Sequence, residues 1–188
     1  MNEKLKYNNK GFTILELLVV IFIVALLSGT MLANYRQGNR SSELNMAANG
    51  LASDIRLAQN RTLGAVKYGT STPDGGWGVH IDLASPKSYK IFANKNYNDG
   101  SNLEYDGPEE SRSGKGGKNI KLGEEISITN TSEGSILDIT FIPPDPETII
   151  YNVNSNSTST EAEITLETKT GDSKKVKINA FGLIKVLD

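Results

Sequence analysis

The sequence predicts an α+β protein: one long N-terminal helix, half membrane stem and half amphipathic, packed on antiparallel β-sheet. Three observations carry this. Residues 14–33 are apolar except for Glu16, Ser28, Gly29 and Thr30. No proline occurs before Pro73, so nothing upstream of it forbids a continuous helix. Beyond Gly76 the apolar period changes to two, the period of half-buried strands.

Composition narrows the function classes. The chain has 188 residues, enough for one ordinary domain and an appendage. It has no cysteine, which excludes disulfides, thiolate zinc sites, thiol catalysis and lipid attachment at an N-terminal cysteine. Acidic side chains outnumber basic ones, 22 to 20, which is not the balance of a nucleic-acid-binding surface.

The helix is predicted in two halves. Twenty apolar residues span the bilayer hydrocarbon, roughly 30 Å. Lys4, Lys6 and Lys10 precede this run and predict a cytoplasmic N-terminus, with everything after about residue 34 outside. Ser28-Gly29-Thr30 is the weak point of the span, because glycine is a poor helix former, and it is a poor signal-peptide cleavage site. Further on, Leu44, Ala47, Ala48, Leu51, Ile55, Ala58 and Thr62 follow helical spacing and predict an amphipathic half ending near residue 64. Arg56 and Arg61 fall on other faces and read as solvated charge.

Alternating segments succeed one another at 76–82, 89–92, 126–128, 137–141, 149–153, 162–166, 176–178 and 183–186. Pro143, Pro144 and Pro146 mark a turn between two of them. Residues 112–121 read as a flexible basic loop, and the polar run 154–160 as a flexible surface loop.

One residue does not suit a plain anchor. An ionised side chain inside a membrane span costs about 2.5–3.5 kcal/mol at mid-helix and less near an end, and Glu16 sits in this one. Gly11-Phe12-Thr13-Ile14-Leu15-Glu16-Leu17-Leu18, after a lysine-containing leader, resembles the prepilin signature of type IV pilins and type II secretion pseudopilins. The resemblance implies a leader at 1–11, cleavage between Gly11 and Phe12, methylation of the new N-terminus, a membrane and filament-core stem at 12–33 and an amphipathic half at 34–64. It also implies a globular β domain at 65–188. Cleavage would create an α-amino group at Phe12 with a reference pKa of about 7.7–8.0. In the family this amine pairs with the Glu of a neighbouring subunit, the role the resemblance gives Glu16. Partners implied are other pilins, a prepilin peptidase and the inner-membrane assembly platform. Localisation implied is a single-pass inner-membrane protein that later joins an extracytoplasmic filament. Many pilins carry a helix-kinking proline where this chain has Ala33.

Leu51-Ala52-Ser53-Asp54-Ile55-Arg56-Leu57-Ala58-Gln59-Asn60-Arg61, Gly76-Trp77-Gly78-Val79 and Gly182-Leu183-Ile184-Lys185-Val186 resemble the H-type minor pseudopilin group, GspH/FimT-like. Some of its relatives are DNA-uptake pilins with a basic G-R-x-R motif. Here its first Arg is Leu183 and its second is Lys185. Lys174, Lys175 and Lys185 are therefore the candidate DNA contacts, weighed against solvated charge.

Other chemistry is sparse. His80 stands alone on a predicted strand with neither cysteine nor a second histidine, too few partners for a metal. No nucleophile-elbow or phosphate-loop motif is present, and the expectation is a protein that is not an enzyme, without a resident cofactor. Asp99, Glu104 and Asp106 are candidate calcium ligands in an Asn/Asp/Gly-rich loop, although these residue types equally make turns.

Overall fold

The computed structural model describes residues 11–95, 97, 102–108, 117–144 and 147–187; of residues 32–34, 36 and 37 it describes the backbone alone. The chain divides into two compact units, Met1–Asn39 and Arg40–Asp188. Helix α1 runs Ile14–Leu63. Among the described residues ten strands come after it: β1 (Trp77–Asp82), β2 (Ser88–Ala93), β3 (Lys118–Lys121), β4 (Ile126–Thr131), β5 (Ile136–Ile142), β6 (Glu147–Asn152), β7 (Ser157–Ser159), β8 (Glu161–Thr168), β9 (Ser173–Asn179) and β10 (Ile184–Leu187). They form a six-stranded sheet, β3-β2-β1-β5-β6-β7, and a four-stranded sheet, β10-β9-β8-β4, with every pairing antiparallel. This is the predicted α+β architecture.

In the first unit the apolar helix stays helical through Gly29. Ser28 Oγ donates to the Val24 carbonyl at 2.7 Å and Thr30 Oγ1 to the Leu27 carbonyl at 2.9 Å. Both hydroxyls thus spend their hydrogens on the helix itself, as an apolar surrounding demands. The expected weak point is an unbroken turn.

The second unit has its own core. Leu44, Ala48, Leu51, Ala52, Ile55 and Ala58 of α1 are buried against Trp77, Val79, Ile81, Ile139 and Phe141 of one sheet and Ile128, Ile164, Leu166, Val176 and Ile178 of the other. Every residue of this cluster lies between Leu44 and Val186, so the exposed apolar helix contributes nothing to it. Residues 40–188 carry all that a folded domain requires. The predicted helix face is the buried one, with Ala52 added.

The junction of helix and sheet is tightly bonded. Thr62 Oγ1 accepts the Trp77 N–H at 2.9 Å and donates to the Phe141 carbonyl at 3.1 Å. The Trp77 indole N–H donates to the Val66 carbonyl at 2.9 Å. Tyr68 meets the indole edge-on at 5.8 Å, and the Arg61 guanidinium lies 4.6 Å from its ring centroid. Gly76 precedes this corner with φ +72°, and a Cβ there would sit 1.9 Å from the Phe141 carbonyl oxygen. Only glycine fits that backbone.

Two segments expected to be loops are strands in part. β3 lies within the segment read as a flexible basic loop, where it pairs with β2 and half-buries Ile120 against Tyr89. β7 lies within the polar run and pairs with β6, Ser159 opposite Ile150. Both are short edge strands whose ladder is supplied by a neighbour's backbone, so neither needs the apolar alternation that marks a central strand. Residues 112–116 of the basic loop and Pro146 lie outside the described residues.

Arg56 and Arg61 also differ from expectation. Arg56 Nη2 donates to the Ile184 carbonyl at 2.9 Å, tying α1 to β10. Arg61 is half-buried over Trp77, and that burial lowers its pKa. The Arg56 head hydrogen-bonds and the Arg61 head stacks, contacts that helical spacing does not disclose.

Candidate functional site at the N-terminus of the helix

Gly11, Phe12 and Thr13 precede the helix without regular structure and are exposed. The Gly11–Phe12 bond therefore lies in accessible, non-helical chain directly ahead of α1. Thr13 is the N-cap: its Oγ1 accepts the Glu16 N–H at 3.2 Å, and its carbonyl accepts the Leu17 N–H at 3.2 Å. Thr13-x-x-Glu16 is the spacing of a capping box, a signal present in the sequence that the membrane pattern obscures.

This places Glu16 at the third helical position, where backbone N–H groups point outward and the helix dipole favours negative charge by about 0.3–1 kcal/mol. That offsets only part of the cost of a carboxylate in hydrocarbon. Glu16 is exposed, with no side-chain partner among the described residues. Ile14–Met31 has mean hydropathy 2.6 and none of it is buried, so it is long and apolar enough to cross a membrane. The arrangement is a capped, wholly apolar helix with one anionic group at its start, built to bury its surface against lipid or against other helices.

The remaining candidate residues lie beyond the helix. Asp99 lies outside the described residues. Asp106 Oδ2 accepts from Asn102 Nδ2 at 2.7 Å, and Asn102 Oδ1 accepts the Glu104 N–H at 3.2 Å. Asn102, Glu104 and Asp106 therefore bond as a turn. Among the described residues no three His, Asp or Glu side chains converge as metal ligands would.

Of the candidate DNA lysines, Lys175 and Lys185 share one sheet face as diagonal neighbours across the β9–β10 pair, and Lys174 projects from the other face. Lys174 and Lys175 are consecutive on β9 and project to opposite faces of its sheet. Lys175 Nζ is 3.2 Å from Glu163, and the neighbouring Lys177 is 2.9 Å from Glu161 and 3.7 Å from Glu163. These pairs pull the Glu163 carboxyl below its ordinary range and push Lys177 above its own. Lys185 stands on β10 opposite Lys177. Alternating Glu and Lys across β8 and β9 cancel the field that a phosphate backbone would seek.

His80 does have a partner, and reading it as an isolated strand-face residue misses it. His80 Nδ1 lies 2.6 Å from Asp138 Oδ1, directly across the β1–β5 pair, and Asp138 is fully buried. Asp138 Oδ2 accepts the Tyr105 N–H at 2.8 Å. The Tyr105 ring lies 4.5 Å from the His80 ring and 5.4 Å from Phe92, with Lys90 Nζ 4.6 Å above it. The pair fastens loop 102–108 onto the outer face of the six-stranded sheet. With no nucleophile beside it among these contacts, it is a clasp in this geometry.

Comparison with known proteins agrees with the N-terminal geometry. Residues 6–32 match the family described as the prokaryotic N-terminal methylation motif. No curated protein and no solved structure matches the chain. The motif implies processing by prepilin peptidase and assembly with other pilins, and it supports a type IV pilin-like prepilin.

Proposed function

We propose that this chain is a structural subunit, a minor pilin or pseudopilin of the H-type kind, in a type IV pilus or type II secretion-like filament. The observation that carries this reading is the exposed apolar run Ile14–Met31, preceded by Gly11 and Phe12 and carrying Glu16 in its first turn. Prepilin peptidase cuts between Gly11 and Phe12, and the amine of Phe12 is methylated. The helix holds the subunit in the inner membrane, N-terminus inward and β domain outward, until other stems replace lipid around it. Glu16 then pairs with the N-terminal amine of a neighbouring stem. A lone carboxylate is costly in that apolar setting, whereas a paired one sets register. The chain performs no catalysis in this reading.

Replacing Glu16 with Leu separates this from a plain anchor. The variant should still insert and be cleaved but should be lost from sheared filaments. Full incorporation of Glu16→Leu would refute the role given to Glu16.

A further inference from the structure

The second unit carries two surfaces that fit each other but not themselves. The first is the turn between β9 and β10. Phe181 stands there 94% exposed, the most exposed large apolar side chain among those described. The turn beneath it is fixed. Asn179 Oδ1 accepts the N–H groups of Phe181 at 3.1 Å and Leu183 at 3.0 Å, and Gly182 N–H donates to the Asn179 carbonyl at 2.9 Å. Gly182 has φ +74° and rests so close on Gln59 that a Cβ would meet Nε2 at 2.5 Å. An exposed aromatic on a turn this constrained loses little freedom on docking. Leu183 and Leu187 are exposed beside it, and Lys185 lies between them on the same strand face.

The second surface is a groove of about 390 Å³ on the other flank of α1. Met46 and Gly50 of the helix and Ile120 and Leu122 of the facing β3 segment supply apolar walls, with Glu43 and Asp54 at its two ends and Lys121 on the β3 side. Glu43 and Asp54 are eleven positions apart on one helical stripe, about 16 Å at 1.5 Å per residue. Tyr89 donates to Asp54 Oδ2 at 2.7 Å and closes the floor. Gly50 has nothing within 4 Å of where a Cβ would lie, so the groove is open at its centre. Met46, 66% exposed, is a flexible wall suited to an aromatic ring.

The groove abuts β4 and the turn abuts β10, the two opposite edges of the four-stranded sheet. They do not overlap. One is apolar with two carboxylates, Glu43 and Asp54, against one ammonium, Lys121; the other is apolar and presents Lys185. We infer that the Phe181 turn of one copy docks into the α1–β3 groove of a second copy, Phe181 entering over Gly50 and Lys185 meeting Glu43 or Asp54. Such a contact is head-to-tail and leaves a free groove and a free turn at its ends, so it propagates rather than closes. This rests on the filament reading and specifies how β domains contribute to it.

The test uses residues 40–188, which hold the complete core, and reads mass against concentration by sedimentation. The wild-type domain should form open-ended oligomers that weaken as salt rises. Phe181→Ser removes the anchor, and Gly50→Leu puts a side chain into the groove from a position where a Cβ meets nothing within 4 Å; each alone should be monomeric with an unchanged circular dichroism spectrum. Mixed, the two variants should form a 1:1 dimer and nothing larger, because only one intact turn and one intact groove remain. A wild-type domain that stays monomeric at millimolar concentration would overturn the inference. So would a closed dimer indifferent to both substitutions, or association lost with Phe181→Ser but kept with Gly50→Leu, which would seat the turn on another surface. None of these outcomes touches N-terminal processing, so failure here is separable from failure of the prepilin reading.

Discussion

Replacing Asp138 with Asn exchanges one carboxylate oxygen for an NH₂ in the middle of the buried clasp, and the geometry fixes the consequence. A carboxylate only accepts, so in the native protein His80 Nδ1 must carry the hydrogen that bridges the 2.6 Å gap. The other carboxylate oxygen accepts the Tyr105 N–H. An Asn carboxamide cannot accept on both sides. Its oxygen can keep the Tyr105 N–H only if its NH₂ faces His80, and His80 must then move its hydrogen to Nε2 and accept through Nδ1. The clasp survives with neutral bonds in place of charge-assisted ones, which are roughly twice as strong. The expected cost of Asp138→Asn is therefore about 1–4 kcal/mol, from two bonds of about 1.5–3 kcal/mol each becoming bonds of about 1. Asp138→Leu removes both acceptors, leaves the Tyr105 N–H buried and unpaired, and should cost about 3–5 kcal/mol. Urea unfolding of residues 40–188 measures the two costs, and nitrogen-15 shifts of the imidazole report the tautomer. If Asp138→Asn costs as much as Asp138→Leu, or if His80 keeps its Nδ1 hydrogen in the Asn variant, the assignment of donors and acceptors is wrong.

Thr62→Val keeps the shape of the side chain but strands the buried Trp77 N–H. It should destabilise the domain by about 2–3 kcal/mol, the lost bond plus the unpaired donor, with an unchanged urea m-value. Thr62→Ser, which retains the oxygen, should recover most of that. Acid sensitivity arises from the surface pairs. The Glu163 carboxyl, bonded to Lys175 first and Lys177 next, and the Glu125 carboxyl, bonded to Lys169, are both held below their ordinary value. Their contribution is therefore present above the ordinary carboxylate range and is lost as pH falls through their folded values. Lys177 is raised, chiefly by its bond to Glu161, so its share persists below the ordinary lysine range and is lost as pH rises through its folded value. A urea midpoint that drops between about pH 5 and 3, and drops less steeply in Glu163→Gln, checks the acid side. An identical slope in the variant would count against these pairs.

Much of the architecture was legible because it rests on periodicity. The buried stripe of α1 repeats every three to four residues, β8 alternates strictly in burial, and β5 alternates in polarity from Leu137 to Phe141 although both its faces are buried, so period located them. Edge strands β3 and β7 lack that signature, since each pairs on one side among the described residues and, Ile120 apart, their side chains are polar or charged. The stem was legible for the same reason as the helix, and Glu16 because a charge in an apolar run contradicts its surroundings. Thr13 was equally readable through its spacing to Glu16, but the stronger signal of the apolar run masks a capping box. The His80–Asp138 pair was not readable: the two residues are 58 positions apart, and only strand register makes them neighbours. Arg56 and Arg61 escaped for a related cause. Helical spacing says which face a side chain leaves from, but a long guanidinium stem reaches the Ile184 carbonyl and the Trp77 ring by paths that depend on the tertiary fold.

The central claim is that the helix begins its working life at Phe12. The N-terminal residue and intact mass of the protein, recovered from membranes and from sheared surface filaments of cells with an active prepilin peptidase, test that claim most directly. The account predicts a chain that begins at methylated Phe12 in both fractions. A chain that begins at Met1 would contradict it, leaving Glu16 as an acidic cap on the helix of an ordinary anchor.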